Sequence, residues 1–354
     1  MMLDAGPIVF MGAGAVGSYV GGMLSAAGDD VVLIDAWPGH VEAIRASGLI
    51  IETPEGTTKA RPRALHICDA QQLAGRSAAL AFLCVKLYDT NWAVTLLNDI
   101  VGGIPIVTMQ NALVEEDVAR IVGRDRTIGA IAGTLDVALM APGTVRRARR
   151  RGAEKPVFKI GELSGQKTPR LQAIADLLAK VDTTAITSHL SDERWAKLVA
   201  NTMTTGLSAV GGLTFLDVYR REDTRRLAIT LAAEALAVGH QLGFGLRPVF
   251  GVSPERWQAA GAGQRDAIAE AMSAMAAQSN SMVEGGVSGT LQDIIKRRRT
   301  EVDYFNGYIA ERGRACGVFT PTHAALAAMI RRMEVGEFAP SEARLAELMQ
   351  GMTA

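Results

Sequence analysis

A glycine-rich segment near the start of the chain has the residue types and spacing that hold a pyrophosphate. Gly12, Gly14 and Gly17 form the pattern G-x-G-x-x-G, between the apolar run Ile8-Val9-Phe10 and an apolar-periodic stretch over residues 16–27. The first glycine permits a tight turn, the second lets the backbone approach a pyrophosphate, and the third lets a helix pack near a strand. The helix presents unpaired N–H groups to an anion. We call this segment the glycine loop, and we expect all of it to bind a dinucleotide: Gly12, Ala13, Gly14, Ala15, Val16 and Gly17.

An acidic residue follows the next apolar run, Val31-Val32-Leu33-Ile34. Asp35 lies 18 residues past Gly17, where the ribose-binding acid of a dinucleotide site belongs. A carboxylate there accepts a hydrogen bond from a ribose 2′-hydroxyl but repels a 2′-phosphate. Asp35 therefore predicts that NADH is used at least as well as NADPH, although Lys86 could compensate for a phosphate.

Two polar residues in the second half of the chain could complete a reduction. Lys197 and Asn201 are four residues apart in a segment where Trp195, Leu198 and Val199 recur at helical spacing, so they share a helix face. Carbonyl reduction needs a proton donor or cation at the oxygen and a group that orients the substrate. Lys197 fits the first role and Asn201 the second. The competing interpretation is a solvated surface lysine, because most lysines are exposed.

A carboxylate just beyond a basic run is a candidate support for that lysine. Glu301 follows Lys296-Arg297-Arg298-Arg299, a run that is typical of a solvated or ion-paired helix face. A carboxylate beside Lys197 would favour the charged form of the amine and fix its position. Contact between Glu301 and Lys197 is a hypothesis that the sequence alone does not establish.

The elements that must position these residues change character along the chain. Residues 7–185 alternate strands and helices, which predicts an α/β fold with a doubly wound, mostly parallel Rossmann sheet. Ligands of such sheets bind beyond the carboxyl ends of the strands, where we expect the glycine loop, Asp35, Lys86 and Asn111 to converge. From about Ser191 the pattern is helical. Long helical stretches are predicted over residues 222–244, 254–284 and 291–316.

A boundary near residues 184–190 predicts two domains. We expect a dinucleotide-binding Rossmann domain over residues 1–187 and an all-helical substrate-binding and catalytic domain over residues 188–354. Residues 134–187 are expected to extend the sheet. Five arginines between Val145 and Arg151 could contact nucleic acid, but a solvated edge strand or turn is the favoured interpretation.

Composition argues against several functional classes. Lys+Arg and Asp+Glu both number 37, so no net charge favours nucleic acid or a membrane surface as a partner. No apolar stretch reaches the roughly 18 residues of a transmembrane helix. Three scattered cysteines and the lack of a leader pattern predict a cytoplasmic protein. Five scattered histidines without ligand spacing predict no metal site.

Taken together, the motifs resemble those of the ketopantoate reductase family, the 2-dehydropantoate 2-reductases. The resemblance covers most of the chain and implies a Rossmann domain, a C-terminal helical domain and an active site in the cleft between them. The matching motifs are G-A-G-A-V-G at Gly12–Gly17, V-K at Val85-Lys86, Q-N at Gln110-Asn111, W-x-K-L-x-x-N at Trp195–Asn201, and L-Q-D-I with T-E-V-D-Y-F-N-G within Leu291–Gly307.

The resemblance also implies roles for individual residues. Lys197 is implied as the general acid at the 2-oxo group, with Glu301 supporting the lysine, the substrate hydroxyl and the cofactor site. Asn111 is implied near the nicotinamide, and Asn201 is implied as a substrate ligand. Lys86 matches a lysine that contacts the cofactor.

Three positions depart from the family's pattern. They are Thr205, where a second asparagine is common, Ala112, where glycine is common, and Gly289, where serine is common. Ser288 and Thr290 flank Gly289, and we expect them, with Asn201, to hold the substrate carboxylate or hydroxyl. Thr205 and Gly289 fall where the substrate tail would be held, so the departures leave the exact acid open.

The expected reaction is hydride transfer from NADPH or NADH to a small 2-oxo acid, with formation of pantoate from 2-dehydropantoate as the leading case. One alternative is a related reductase or dehydrogenase that acts on another branched or aromatic 2-oxo or hydroxy acid. A more distant alternative is a dinucleotide-binding sensor, which would not need Lys197, Asn201 or Glu301. The sequence leaves open whether the protein forms a homodimer.

Overall fold

A computed structural model describes residues 5–133, 135–152, 155–281 and 284–353. The chain forms two compact units, Met1–Leu190 and Ser191–Ala354. None of the helices within the described residues is both long and apolar enough to cross a membrane.

Within the described residues, the first unit carries all the named strands and five α-helices. The strands are β1 (Ile8–Met11), β2 (Val31–Asp35), β3 (Leu49–Thr53), β4 (Gly56–Ala60), β5 (Arg63–His66), β6 (Leu80–Leu83), β7 (Ile106–Thr108), β8 (Thr127–Ala132), β9 (Val137–Ala141), β10 (Thr144–Arg147), β11 (Phe158–Glu162) and β12 (Thr184–Ile186). The helices are α1 (Ala15–Ala26), α2 (Pro38–Ser47), α3 (Thr90–Ile100), α4 (Glu115–Val122) and α5 (Pro169–Ala179).

The main sheet has eight strands in the order β12-β11-β8-β7-β6-β1-β2-β5. The strands from β8 to β5 in that order pair in parallel, whereas β11 pairs antiparallel with β8. Along β1, Ile8 and Phe10 belong to one hydrophobic core, and Val9 and Met11 belong to a second core on the other face. Burial on both faces is the reason that this strand reads as a continuous apolar run. The predicted doubly wound Rossmann sheet is confirmed.

A second, four-stranded sheet was not predicted. Its order is β4-β3-β10-β9, so β10 is an internal strand between β3 and β9. The prediction that residues 134–187 extend one sheet is therefore wrong for β9 and β10. The prediction of a solvated edge strand or turn for the arginine-rich segment is wrong for residues 145–147, which lie in the internal strand β10, although Arg146, Arg150 and Arg151 are exposed. Of the strands in residues 134–187 that the structure describes, β11 and β12 join the main sheet.

One of the arginines predicted to be solvated is buried. The side chains of Arg147 and Asp182 form an ion pair and are each 1% exposed. Arg147 also donates to the hydroxyl of Tyr19 on α1 at 2.9 Å. Burial alone would raise the pKa of Asp182, but N–H groups of Gly152 and Thr183 together with Arg147 hold it below its usual range. The ionised pair thus connects the small sheet to α1 and to the turn before β12.

The second unit is built from helices. They are α6 (Leu190–Thr202, whose first residue closes the first unit), α7 (Thr205–Gly211), α8 (Phe215–Arg220), α9 (Glu222–Gln241), α10 (Pro254–Gly261), α11 (Arg265–Gln278), α12 (Gly289–Ile295), α13 (Asn306–Cys316), α14 (Pro321–Glu334) and α15 (Glu342–Thr353). Two predicted long helices are each broken into two. Gly263 adopts a φ of 87° between α10 and α11, and Arg297 adopts a φ of 51° after α12. Such left-handed residues end a right-handed helix.

Replacing the buried arginine tests whether the ion pair holds the first unit together. We expect Arg147→Met to lower the free energy of unfolding by about 3–5 kcal/mol, because it leaves the Asp182 carboxylate buried without its partner. Urea denaturation followed by circular dichroism measures this change. Arg146→Met is the matched control: its pair with Glu52 is exposed, so the change should stay within about 1 kcal/mol. Equal effects of the two substitutions would contradict a structural role for the buried pair.

Candidate active site

Two glycines of the glycine loop are required by the packing of the protein itself. Gly12 has a φ of 98°, and a Cβ there would lie 2.8 Å from the backbone of Cys84. A Cβ on Gly17 would lie 2.0 Å from the carbonyl oxygen of Gly12. The turn after β1 and the close approach of α1 therefore exclude any side chain at these two positions.

Gly14 has a different environment. Apart from its own chain neighbours, a Cβ built on this residue would meet no protein atom within 4 Å, so the protein's own packing does not require glycine here. Gly14 is the N-cap residue of α1, and no side chain caps that helix end. The first N–H groups of α1 thus border space that the protein leaves open, which fits a pyrophosphate.

Asp35 lies at the end of β2 and is held by two backbone donors. Its Oδ2 accepts a hydrogen bond from the N–H of Ala13 at 2.7 Å, and its Oδ1 accepts one from Trp37 at 2.8 Å. Each carboxylate oxygen has a second acceptor position, so Asp35 retains capacity for a ribose hydroxyl. The first of these bonds links the carboxylate directly to the glycine loop.

A buried histidine also connects to the glycine loop. Ser18 Oγ lies 2.6 Å from the carbonyl oxygen of Ala13 and 3.0 Å from Nε2 of His40. On the other side of the ring, the N–H of Gly143 donates to His40 Nδ1 at 3.0 Å. Burial lowers the pKa of His40, and the opposing negative charge of Asp35 does not outweigh it. The sequence reasoning missed this histidine, because its partner lies 103 residues away in the chain.

Lys86 follows β6 in a loop that is held by the side chain of Gln110, which lies just after β7. Gln110 donates through Nε2 to the carbonyl oxygen of Val85 at 3.0 Å and to the hydroxyl of Thr90 at 2.9 Å. The buried amide of Gln110 therefore fixes the backbone around Lys86. These contacts give the glutamine of the Q-N motif a structural role, which is to hold the Lys86 loop.

Asn111 is exposed directly after that glutamine. Ala112 adopts a φ of 59°, in the left-handed region that favours glycine. This φ is a physical reason for the glycine that is common at this position of the family, and Ala112 adopts it at a cost in backbone strain.

In the second unit, the burial of one face of α6 sets the direction of the other. Trp195 is fully buried and stacks on Phe244 with ring centroids 4.4 Å apart. A Cβ on Gly239 would lie 2.2 Å from Trp195 Nε1, so the indole occupies the space that this glycine leaves. Lys197 is two residues on, about 200° around the helix, and shares its half-buried face with Asn201.

The segment after Glu301 is bonded to the end of α6. Asn306 donates through Nδ2 to the carbonyl oxygen of Thr202 at 3.0 Å, and this amide nitrogen lies 3.1 Å from Nδ1 of His323. Nε2 of His323 is 2.9 Å from the carbonyl oxygen of Leu231, and burial lowers the pKa of His323 to about 4. The structure thus brings the Glu301 segment and α6 together through a neutral histidine and an asparagine. Asn306 is the asparagine of the T-E-V-D-Y-F-N-G motif, but its role was not predicted.

Ser288 is a buried helix cap. Its Oγ accepts a hydrogen bond from the N–H of Leu291 at 3.0 Å and donates to the carbonyl oxygen of Thr205 at 3.1 Å. Because its proton is used within the protein, the geometry favours a supporting role for Ser288 over the expected substrate contact. Thr205 donates its own hydroxyl to the carbonyl oxygen of Asn201 at 2.9 Å. Thr290 is buried, and a Cβ on the exposed Gly289 would meet no protein atom within 4 Å.

The Cys84 thiol lies beside the glycine loop, but it is not a reactive nucleophile. Burial raises the pKa of the Cys84 thiol, so it stays protonated at neutral pH. Within the part of the chain that the structure describes, no three His, Cys, Asp or Glu side chains are grouped so that they could hold a metal ion.

Comparison with known proteins identifies similarity over nearly the whole chain. A family model described as ketopantoate reductase PanE/ApbA matches residues 8–164, and the model of its C-terminal region matches residues 189–334. The 2-dehydropantoate 2-reductase of Mesorhizobium japonicum is 30% identical over 93% of this chain and 98% of its own length.

Solved structures show the same fold. A PanE/ApbA family ketopantoate reductase from Ralstonia eutropha is 28% identical, with a TM-score of 0.75 over 93% of this chain and 98% of that one. D-mandelate dehydrogenase in a ternary structure with NADH and anilino(oxo)acetate has a TM-score of 0.74 at 20% identity, over 93% of this chain and 98% of that one.

Two alanine substitutions in the glycine loop should separate binding from folding. Gly14→Ala should keep the free energy of unfolding within about 1 kcal/mol of the wild type, because its Cβ meets no protein atom. It should raise the dinucleotide Kd at least tenfold, or about 1.4 kcal/mol, because the methyl group enters the space left for the pyrophosphate. Fluorescence titration and urea denaturation measure the two effects.

The matched substitution Gly17→Ala should destabilise the fold, because its Cβ would lie 2.0 Å from the carbonyl oxygen of Gly12. Wild-type dinucleotide affinity in Gly14→Ala would show that the pyrophosphate does not bind at this helix end.

Proposed function

The chain belongs to the ketopantoate reductase family PanE/ApbA, and on this premise we propose that it reduces a small 2-oxo acid to the 2-hydroxy acid. The family resemblance of the motifs is thereby confirmed, and the chain is an NAD(P)-dependent oxidoreductase that acts on CH–OH groups. The observation that carries the dinucleotide part of this proposal is the open space at Gly14, on a helix end that no side chain caps. The leading substrate is 2-dehydropantoate.

We propose that the first unit, the Rossmann domain, binds the dinucleotide. When bound, the reduced nicotinamide supplies the hydride. N–H groups of the glycine loop donate to the pyrophosphate, and Asp35 accepts from the ribose hydroxyls. Lys86 contacts the dinucleotide, and Asn111 lies near the nicotinamide. The support for this assignment is the anchoring of Asp35 by Ala13 and of the Lys86 loop by Gln110.

We propose that the helical unit supplies the proton and orients the acid. Lys197 donates a proton from Nζ to the oxygen of the forming alkoxide, and Glu301 keeps the amine charged and in place. Asn201 donates to the substrate carboxylate or hydroxyl. Support comes from the fixed rotation of α6, which the buried Trp195 sets, and from the bond between Asn306 and Thr202.

A second substrate class is favoured by the position that lacks a side chain. Gly289 is exposed, and a Cβ there would meet no protein atom within 4 Å. In our proposal this residue borders the substrate tail, so its missing side chain leaves room for a larger branched or aromatic 2-oxo acid. Initial rates with a panel of 2-oxo acids distinguish this class from 2-dehydropantoate.

Removal of the proposed general acid should affect turnover and not cofactor affinity. We expect Lys197→Ala to lower kcat by about 10²–10⁴-fold, the usual contribution of a general acid. The dinucleotide Kd should stay within about twofold, because the glycine loop is unchanged. Stopped-flow absorbance of the nicotinamide and fluorescence titration measure the two quantities.

The control for Lys197→Ala is Lys296→Ala, a lysine that is exposed at the end of α12 and should leave kcat unchanged. Wild-type kcat in Lys197→Ala would remove this lysine from the mechanism.

The carboxylate at the end of β2 should set the choice of dinucleotide. We expect kcat/KM with NADH to equal or exceed that with NADPH, because Asp35 repels a 2′-phosphate. Asp35→Ser should raise kcat/KM for NADPH relative to NADH at least tenfold, measured by initial rates at matched concentrations. A strong NADPH preference in the wild type would contradict the assignment of Asp35.

A further inference from the structure

The peptide between Ala13 and Gly14 is held in one orientation. The carbonyl oxygen of Ala13 accepts from Ser18 Oγ at 2.6 Å, and in the preceding peptide the N–H of Ala13 donates to Asp35 Oδ2 at 2.7 Å. That carbonyl and the N–H of Gly14 belong to the same planar peptide unit, in which C=O and N–H point in opposite directions. The bond from Ser18 therefore sets the direction in which Gly14 presents its N–H.

Ser18 can hold that carbonyl only in one hydroxyl orientation. Its hydroxyl has a single proton, which goes to the carbonyl oxygen of Ala13. Its contact with His40 Nε2 at 3.0 Å must therefore be one in which the ring nitrogen donates. His40 in turn determines which way the Ser18 hydroxyl points.

The ring of His40 is kept in the tautomer that this contact requires. Its Nδ1 accepts from the N–H of Gly143 at 3.0 Å, so the single proton of the neutral ring resides on Nε2. His40 is fully buried and stacks on the indole of Trp37 with centroids 5.8 Å apart. Burial lowers its pKa, which keeps the ring neutral at pH 7. The hydrogen bonds thus form a chain with one direction: Gly143 donates to His40, His40 donates to Ser18, and Ser18 donates to Ala13.

We propose that His40 is a positioning residue for the dinucleotide, which acts through Ser18 to aim the Gly14 N–H at the pyrophosphate. The inference rests on the proposed dinucleotide site. It adds a requirement that the glycine pattern itself does not contain: a turn between β9 and β10 in the second sheet fixes the tautomer that orients the glycine loop.

Two amide substitutions separate the two sides of the ring. His40→Asn retains an acceptor near the position of Nδ1 for Gly143 but does not reach Ser18. His40→Gln extends its amide nitrogen toward Ser18 and retains the donor that the proposal requires. Asn leaves the larger cavity at this buried position, so packing alone would also disfavour it relative to Gln, and a loss in His40→Asn supports the proposal only if Ser18→Ala, which leaves the ring in place, reproduces it.

The measurements are dinucleotide Kd by fluorescence titration, and kcat and KM with the 2-oxo acid at saturating dinucleotide. We expect His40→Asn to raise the dinucleotide Kd about tenfold, with kcat and the KM of the acid within about twofold. His40→Gln should stay within about threefold of the wild-type Kd. Equal affinity of both variants and the wild type, or equal losses in both, would overturn the proposal.

Ser18→Ala provides a second test that leaves the histidine in place. It should raise the dinucleotide Kd about as much as His40→Asn, and the double variant should show no further loss, because both changes remove the same bond. Additive losses would overturn the proposal. A wild-type protein that binds neither NADH nor NADPH would instead contradict the proposed function, so the two failures are distinguishable.

Discussion

Helix α1 begins so close to strand β1 that residue 17 has no room for a side chain. A Cβ there would lie 2.0 Å from the carbonyl oxygen of Gly12, and Gly12 itself lies against the backbone after β6. This approach places the first N–H groups of α1 at the carboxyl edge of the main sheet, next to β1, which is buried on both faces. Ala13 lies at the same edge, where its N–H donates to Asp35 and its carbonyl oxygen accepts from Ser18.

The two units use the same physical device. In each, a neutral, fully buried histidine contacts a polar side chain and fixes its orientation. That side chain donates a hydrogen bond to a backbone carbonyl next to a candidate functional group. His40 and Ser18 act on Ala13 in the first unit, and His323 and Asn306 act on Thr202 in the second. Burial lowers the pKa of both rings and so favours the neutral form that each bond pattern uses.

Features with a local cause were predictable from the sequence. The glycine loop, the alternation of strands and helices, and the helix that carries Lys197 follow from turn chemistry and periodicity within short windows. Features with a distant cause were not. The ion pair of Arg147 with Asp182, the internal position of β10 and the contact of His40 with Gly143 depend on residues far apart in the chain. The broken helices are an intermediate case, since a single left-handed residue overrides an apolar pattern that continues past it.

The reaction proposed for this family member requires that one amine meet the oxygen of the acid while the glycine loop holds the pyrophosphate. The most direct measurement is a crystal structure with NADH and an unreactive 2-oxo acid analogue, such as oxamate. The account predicts Lys197 Nζ within about 3 Å of the oxygen that replaces the 2-oxo group, with the Gly14 N–H on the pyrophosphate. A complex in which another residue bonds that oxygen, and Lys197 Nζ lies in bulk solvent, would contradict it.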